Sequence, residues 1–293
     1  MRTAPNVHRL PDGRALSYDD VGDPSGTPVA FFHGTPDSRR SRHPDDALAA
    51  AADVRLIAVD RPGIGGSTPH PATTVGTFAD DVADLLAALG IDRCGVLAWS
   101  AGAPFGLALA ARHHHLVRGV VVAAGLVPFA ALAEPGILDH ADGGRHLIAE
   151  LGAEVGATAT AEMAVPMLAP IPCDLALARE LVLEGADERR RATFGSIAGA
   201  LDAMAWGVVD AVAQGPDGLL REVALQVEDP DVSWTDVAVP VHLAYGAHDS
   251  TAPPAFGEWW QDALPSATLV VHPDEGHLLA LTRWADLLAR AAR

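Results

Sequence analysis

Six short apolar runs, spread along 293 residues, constrain this chain more than any other feature. They are Pro28–His33, Val54–Val59, Gly95–Ala98, Gly119–Ala123, Val239–Gly246 and Thr268–Val271. Apolar residues sit at successive positions instead of alternating, as in strands buried on both faces. Between these runs the spacing turns helical. Asp45 to Ala52 forms a short amphipathic stretch, and Phe78, Val82, Leu85, Leu86 and Leu89 form a stripe that stops at Gly90. Phe105, Leu107, Leu109 and Ala110 continue the pattern. Buried strands that alternate with helices predict an α/β fold, a mostly parallel sheet with helices on both faces. Ahead of it, residues 7–10 and 14–19 flank Pro11-Asp12-Gly13 and predict an N-terminal hairpin. Leu278, Leu281, Trp284, Leu287 and Leu288 predict one closing helix.

The rhythm stops between Pro128 and Trp234. That stretch holds alanine, leucine, acidic residues and arginine, broken at Pro135-Gly136, Gly143-Gly144, Pro170–Pro172 and Gly215-Pro216. It reads as a helical cap, residues 128–234, inserted into a core made of 1–127 and 235–293 and covering the carboxyl edge of the sheet. Met163, Met167, Phe194, Met204 and Trp206 are its candidates for facing a pocket, although an apolar cap residue more often packs inside the cap itself.

Composition narrows the partners. Hydrophobic residues make up 49% of the chain, enough for a large core, and the net charge is −18. Nucleic acid and anionic membrane surfaces would repel such a chain. All 20 basic residues are arginine, so the lysine of a phosphate-binding P-loop is absent. Cys94 and Cys173 are far apart, with no Cys or His at metal-ligand spacing, and read as reduced thiols. His113-His114-His115 point around a helix end, which suits a solvated terminus better than a metal. The first residues lack a signal peptide's apolar region, and no apolar run reaches the roughly 18–20 residues of a membrane helix. The expectation is a cytoplasmic protein that acts on a small-molecule substrate, without nucleic acid, membrane, metal or cofactor; oligomeric state is open.

Chemistry concentrates around Ser100, where the buried run 95–98 meets the helix that begins at Ala101. A tight strand-to-helix turn pushes a hydroxyl out of the chain path and towards free helix amides. It also demands small neighbours, here Ala98 and Gly102. A serine hydroxyl needs a base to take its proton and a carboxylate to orient that base.

This stretch resembles the G-x-S-x-G nucleophile elbow of the α/β-hydrolase superfamily, with Ala98 in place of the first glycine. His33-Gly34-Thr35-Pro36 is similar to the superfamily's oxyanion loop, and Asp60-Arg-Pro-Gly-Ile-Gly-Gly-Ser67 to another of its loops, read as structural. The resemblance implies an oxyanion hole from the backbone N–H groups of Thr35 and Ala101, with His33 and Gly34 in the supporting loop. Its chain order of Ser, acid, His selects Asp249, after the penultimate strand, and His277, after the last. His248 and His272 are neighbouring competitors, and Gly125-Leu126-Val127 leaves the alternative acid position without a carboxylate.

A Ser–His–Asp set implies acyl transfer to water, most simply hydrolysis of a small carboxylic ester or lactone through an acyl-enzyme that needs no metal or cofactor. An imidazole base implies activity that falls as the ring takes up a proton. Proline iminopeptidases are similar in these loops but carry Gly-Gly-Pro where this chain has Gly34-Thr35-Pro36. An aminopeptidase is therefore the alternative, together with a carbon–carbon bond hydrolase. Haloalkane dehalogenases and epoxide hydrolases use aspartate where Ser100 stands. From another class, the chain could be a ligand-binding member of the fold without chemistry.

Overall fold

The computed structural model describes residues 4–156, 159–160, 162–163, 171 and 173–293. Met167, Pro170 and Pro172 lie outside the described residues. Eight strands form one sheet: β1 (Asn6–Arg9), β2 (Ala15–Gly22), β3 (Thr27–Phe32), β4 (Val54–Val59), β5 (Cys94–Trp99), β6 (Val117–Ala123), β7 (Val241–Gly246) and β8 (Ala267–His272). Their spatial order is β1-β2-β4-β3-β5-β6-β7-β8. β1 pairs with β2, and β2 with β4, antiparallel; every other neighbour is parallel. All six apolar runs are strands, and the N-terminal hairpin is β1–β2.

Helices cover both faces, and two adjacent phenylalanines show why. Successive side chains on a strand point to opposite faces. Phe31 meets Trp284, with ring centroids 5.4 Å apart, while Phe32 meets Phe78 at 6.1 Å, and Phe78 meets Phe105 at 5.8 Å. Phe78 lies on α2 (Val75–Ala88) and Phe105 on α3 (Ala103–Arg112), so these helices take one face. Trp284 starts the helix Trp284–Ala291, which takes the other together with α1 (Ala47–Ala51). Burying one such aromatic side chain contributes roughly 1.5–3 kcal/mol.

Between β6 and β7 the chain is helical, as expected: α4 (Gly143–Val155), α5 (Leu175–Glu184), α6 (Glu188–Ser196), α7 (Ala200–Ala211) and α8 (Asp217–Val227). Gly143-Gly144 is not a break. Asp142 caps α4 by accepting the backbone N–H of Arg145, and this carries both glycines into the first turn. After β7 come α9 (Pro254–Ala263), α10 (Leu279–Thr282) and α11 (Trp284–Ala291). The single closing helix expected from the apolar stripe is thus two pieces, which part at Arg283, where φ is −108° and ψ 16°. α2 starts three residues before the stripe because Thr74 and Thr77 cap it reciprocally. Among the described residues no single helix is long and apolar enough to cross a membrane; only the pair α6 and α7, bent by 108°, passes such a test jointly.

The topology positions the site. β3, β5, β6, β7 and β8 run parallel, so the loops after them leave one edge of the sheet. The order reverses at β3, which has β4 on one side and β5 on the other. A ligand crevice in an open α/β sheet opens at such a reversal. Phe32 pairs with Ala98 at the ends of β3 and β5, so the His33 loop and Ser100 emerge side by side.

Candidate active site

Ser100 sits in left-handed backbone at φ +55°, a conformation that costs a non-glycine residue roughly 1–3 kcal/mol. Its surroundings hold the turn. A Cβ at Gly102 would lie 2.3 Å from the carbonyl oxygen of Phe32, so only glycine fits there. Ala98 is accommodated because it faces Gly106 of α3, where a Cβ would come within 2.8 Å of the Ala98 methyl. The amide of Leu126 donates to the Ser100 carbonyl at 3.0 Å, and the Trp260 indole N–H donates to the Leu126 carbonyl at 3.1 Å. The segment Gly125–Val127, without a carboxylate, thus braces the elbow.

His277 and Asp249 reach Ser100 from the loops after β8 and β7. The Ser100 Oγ is 3.1 Å from His277 Nε2, and His277 Nδ1 is 2.8 Å from Asp249 Oδ2. Asp249 is buried, and its other oxygen accepts the backbone N–H groups of Thr251 and Ala252, both at 2.9 Å. That carboxylate can therefore turn only one oxygen to the imidazole. The two loops are laced together: the His248 amide donates to the Glu275 carbonyl, and the Trp99 indole N–H donates to the His277 carbonyl at 3.2 Å. Among the described residues no other histidine bonds to Ser100.

On the opposite side, Gly34 approaches Ser100 so closely that a Cβ would lie 3.2 Å from the serine Cβ. The backbone N–H groups of Thr35 and Ala101 have no hydrogen-bond acceptor among the described residues. Free donors beside a serine hydroxyl are able to receive a developing negative charge. The loop that carries Thr35 is pinned by Arg61, whose guanidinium donates to the His33 carbonyl at 2.7 Å and the Gly34 carbonyl at 2.5 Å. Arg61 also contacts Glu222 on α8. His33 is fully buried, and burial holds its pKa well below the ordinary imidazole value. It stays neutral as part of the wall. Asp60 is fixed by Arg39, which donates a backbone N–H at 2.8 Å and a guanidinium N–H at 2.6 Å. The Asp60–Ser67 loop is therefore the support its punctuation suggested.

A cavity of about 260 Å³ opens over Ser100 and His277. α5, α6 and α7 contribute Leu181, Phe194 and Met204 to it. Of the apolar pocket candidates, Phe194 and Met204 thus face it. Trp206 instead lies half-exposed beneath Arg40, 5.0 Å from ring centroid to guanidinium carbon, and Met163 is exposed. Three charged lining residues were missed by sequence reasoning: Asp37, Arg145 and Arg190. Burial raises Asp37 to about 6; one of its oxygens accepts the Ser41 hydroxyl at 2.6 Å. Asp37 lies two residues past Thr35, so its place in the loop was a usable clue; the two arginines stand in helices whose position no pattern gives. A second cavity of about 70 Å³ adjoins at Ala101 and shares Arg145. Among the described residues no cluster of His, Cys, Asp and Glu is arranged to hold a metal.

A family model for the α/β-hydrolase fold matches residues 27–283. The chain belongs to the α/β-hydrolase family. Within reach of this α/β hydrolase by sequence are a proline iminopeptidase of Xylella fastidiosa, 39% identical over 111 residues, and a putative non-heme bromoperoxidase BpoC of Mycobacterium tuberculosis, 30% identical over 266 residues. The second match covers 90% of each chain, whereas the first covers 35% of this chain and 33% of the peptidase. The chain thus matches about a third of the length of that peptidase. Esterase RhEst1 from Rhodococcus sp. ECU1013 superposes with a TM-score of 0.68 at 21% identity, covering 99% of this chain and 98% of its own. At that identity the likeness speaks to the fold.

Proposed function

We propose that this α/β hydrolase cleaves a small carboxylic ester or lactone through an acyl-enzyme on Ser100. One observation carries the reading: Ser100 Oγ, His277 and Asp249 form a continuous hydrogen-bonded line at 3.1 and 2.8 Å. As Ser100 Oγ bonds to the substrate carbonyl carbon, His277 Nε2 takes the hydroxyl proton. Asp249 stabilises the cation that forms. The charge on the carbonyl oxygen falls to the free amides of Thr35 and Ala101. His277 returns the proton to the departing alcohol; water then attacks the acyl-enzyme by the same route and releases the acid and Ser100. In this reading residues 128–234 act as the cap over a core of 1–127 and 235–293. Support for that division comes from Phe194 and Met204 at the cavity wall.

The aminopeptidase alternative draws on the similarity to proline iminopeptidase and on Asp37, a carboxyl at the cavity that a substrate amine would need. Against it, Arg145 and Arg190 line the same space and repel a cation. The ester reading is tested with 4-nitrophenyl acetate and butyrate. Native protein should turn them over, and Ser100→Ala should fall by several orders of magnitude, as triad serine variants do. Equal rates for the two proteins refute the reading.

A further inference from the structure

Arg145 projects from the first turn of α4, and that turn is tied to the acid loop: the Asp142 amide donates to the Ser250 carbonyl at 2.6 Å. Its side chain lines both the cavity over Ser100 and the smaller one at Ala101. Yet its guanidinium makes no hydrogen bond and no ion pair among the described residues. Burial lowers its pKa from the ordinary value, with Asp142 and Asp249 pulling the other way, so the charge is kept at a desolvation cost. Arg190 enters the same cavity from α6. One of its terminal nitrogens donates to the Thr251 hydroxyl at 2.5 Å and the other to the Gly185 carbonyl at 3.5 Å, while its Nε makes no hydrogen bond and has only an Asp187 carboxylate oxygen 3.9 Å away.

Two arginines therefore line one small space whose one lining acid among the described residues is Asp37; outside that lining, Asp187 lies 3.9 Å from Arg190, and Asp249 is committed to His277. A buried donor without an acceptor is expensive, and the group that matches a guanidinium fork is a carboxylate. Arg145 is half-buried and the Arg190 side chain keeps 24% of its exposure, so neither guanidinium is hydrated as fully as one on an open surface.

We propose that the cavity over Ser100 receives a substrate that bears a carboxylate, held by Arg145 with help from Arg190, while Ser100 attacks an ester of the same molecule. This rests on the ester-hydrolase reading and adds the substrate class. The carboxylate can sit on the acyl or the alcohol side of the ester, and two matched pairs separate these. Mono(4-nitrophenyl) glutarate against 4-nitrophenyl butyrate tests the acyl side; 4-carboxyphenyl butyrate against 4-carbamoylphenyl butyrate tests the alcohol side. Ser100→Ala supplies the uncatalysed rate.

In one pair the acid-bearing ester should have the higher kcat/KM, by about ten- to a hundredfold, the range of one charged hydrogen-bond set. Arg145→Met should collapse that ratio towards one, and Arg145→Lys should restore part of it, since a point charge lacks the fork. Preference for the neutral ester in both pairs overturns the proposal, as does a ratio that survives Arg145→Met. Binding to Ser100→Ala gives a readout free of turnover. Monomethyl glutarate should bind more tightly than dimethyl glutarate, and the added Arg145→Met change should abolish the difference; equal affinities overturn the proposal. Should no ester react above the Ser100→Ala rate, the hydrolase reading fails, and the binding comparison alone decides the carboxylate site.

Discussion

A single residue, Ser100, shows where this chain holds local backbone strain. At φ +55° a serine is held where glycine would be at ease, and two nearby glycines give the turn its space: Gly34, which approaches the Ser100 side chain, and Gly102, which packs against the end of β3. Legibility differed sharply among the site residues. Ser100 stands at a strand–helix junction that period and residue size mark in the sequence. His277 and Asp249 needed the superfamily's chain order as well, because a lone His or Asp carries no local signature. Asp37 shows what burial adds. Its carboxyl is raised from 3.8 to about 6, mainly by desolvation. Between those values the folded protein holds a proton that the unfolded chain has released, so stability falls as pH rises through this window. The contribution is full below about pH 4 and lost above about pH 6. Asp37→Asn cannot ionise. The stability of that variant relative to the parent should therefore shift in its favour by about 2–3 kcal/mol between pH 4 and 7. Urea unfolding at the two pH values measures it, and a difference independent of pH would place the carboxyl in its ordinary range.

At the scale of elements, the junction of β5 and α3 was readable because both partners announce themselves: six buried positions on the strand, and small residues along the helix where the two meet. Ala98 is the one departure from the superfamily pattern, and Gly106 explains it. The methyl that Ala98 adds on the strand occupies room that Gly106 leaves on the helix, so the pair conserves packing. Ala98→Gly should cost about 0.5–1 kcal/mol and leave the elbow in place. Ala98→Val should cost about 1–3 kcal/mol by overpacking and lower kcat, because the strand end that carries Ser100 must shift. Denaturant unfolding and ester turnover on both variants check this; an undisturbed Ala98→Val protein would mean that α3 yields freely. Element boundaries were less legible. Asp142 pulls Gly143-Gly144 into a helix, and Thr74 with Thr77 starts α2 early, because a cap stabilises a turn that the apolar stripe does not reach.

Across the whole molecule, the site is assembled from residues 33 to 277 and depends on the sheet as a rigid frame. Trp284 lies on the face opposite α2 and α3, stacked edge-on against Phe31 and almost wholly buried. Trp284→Ala should therefore cost about 3–5 kcal/mol of stability, seen as an earlier denaturant midpoint. The protein that remains folded should keep its kcat, since the cavity lies elsewhere; a large kcat loss in fully folded protein would tie that helix to the site. The sequence by itself determined the α/β class, the strands and the strand–helix junction at Ser100, because buried strands, helical stripes and a serine at a tight turn all leave local traces. Only the tertiary structure decided which helices between β6 and β7 reach the cavity, and that Arg145, Arg190 and Asp37 meet there. Those residues are polar and follow no period. Their place follows from the packing of distant segments, a long-range property that no window of neighbouring residues contains.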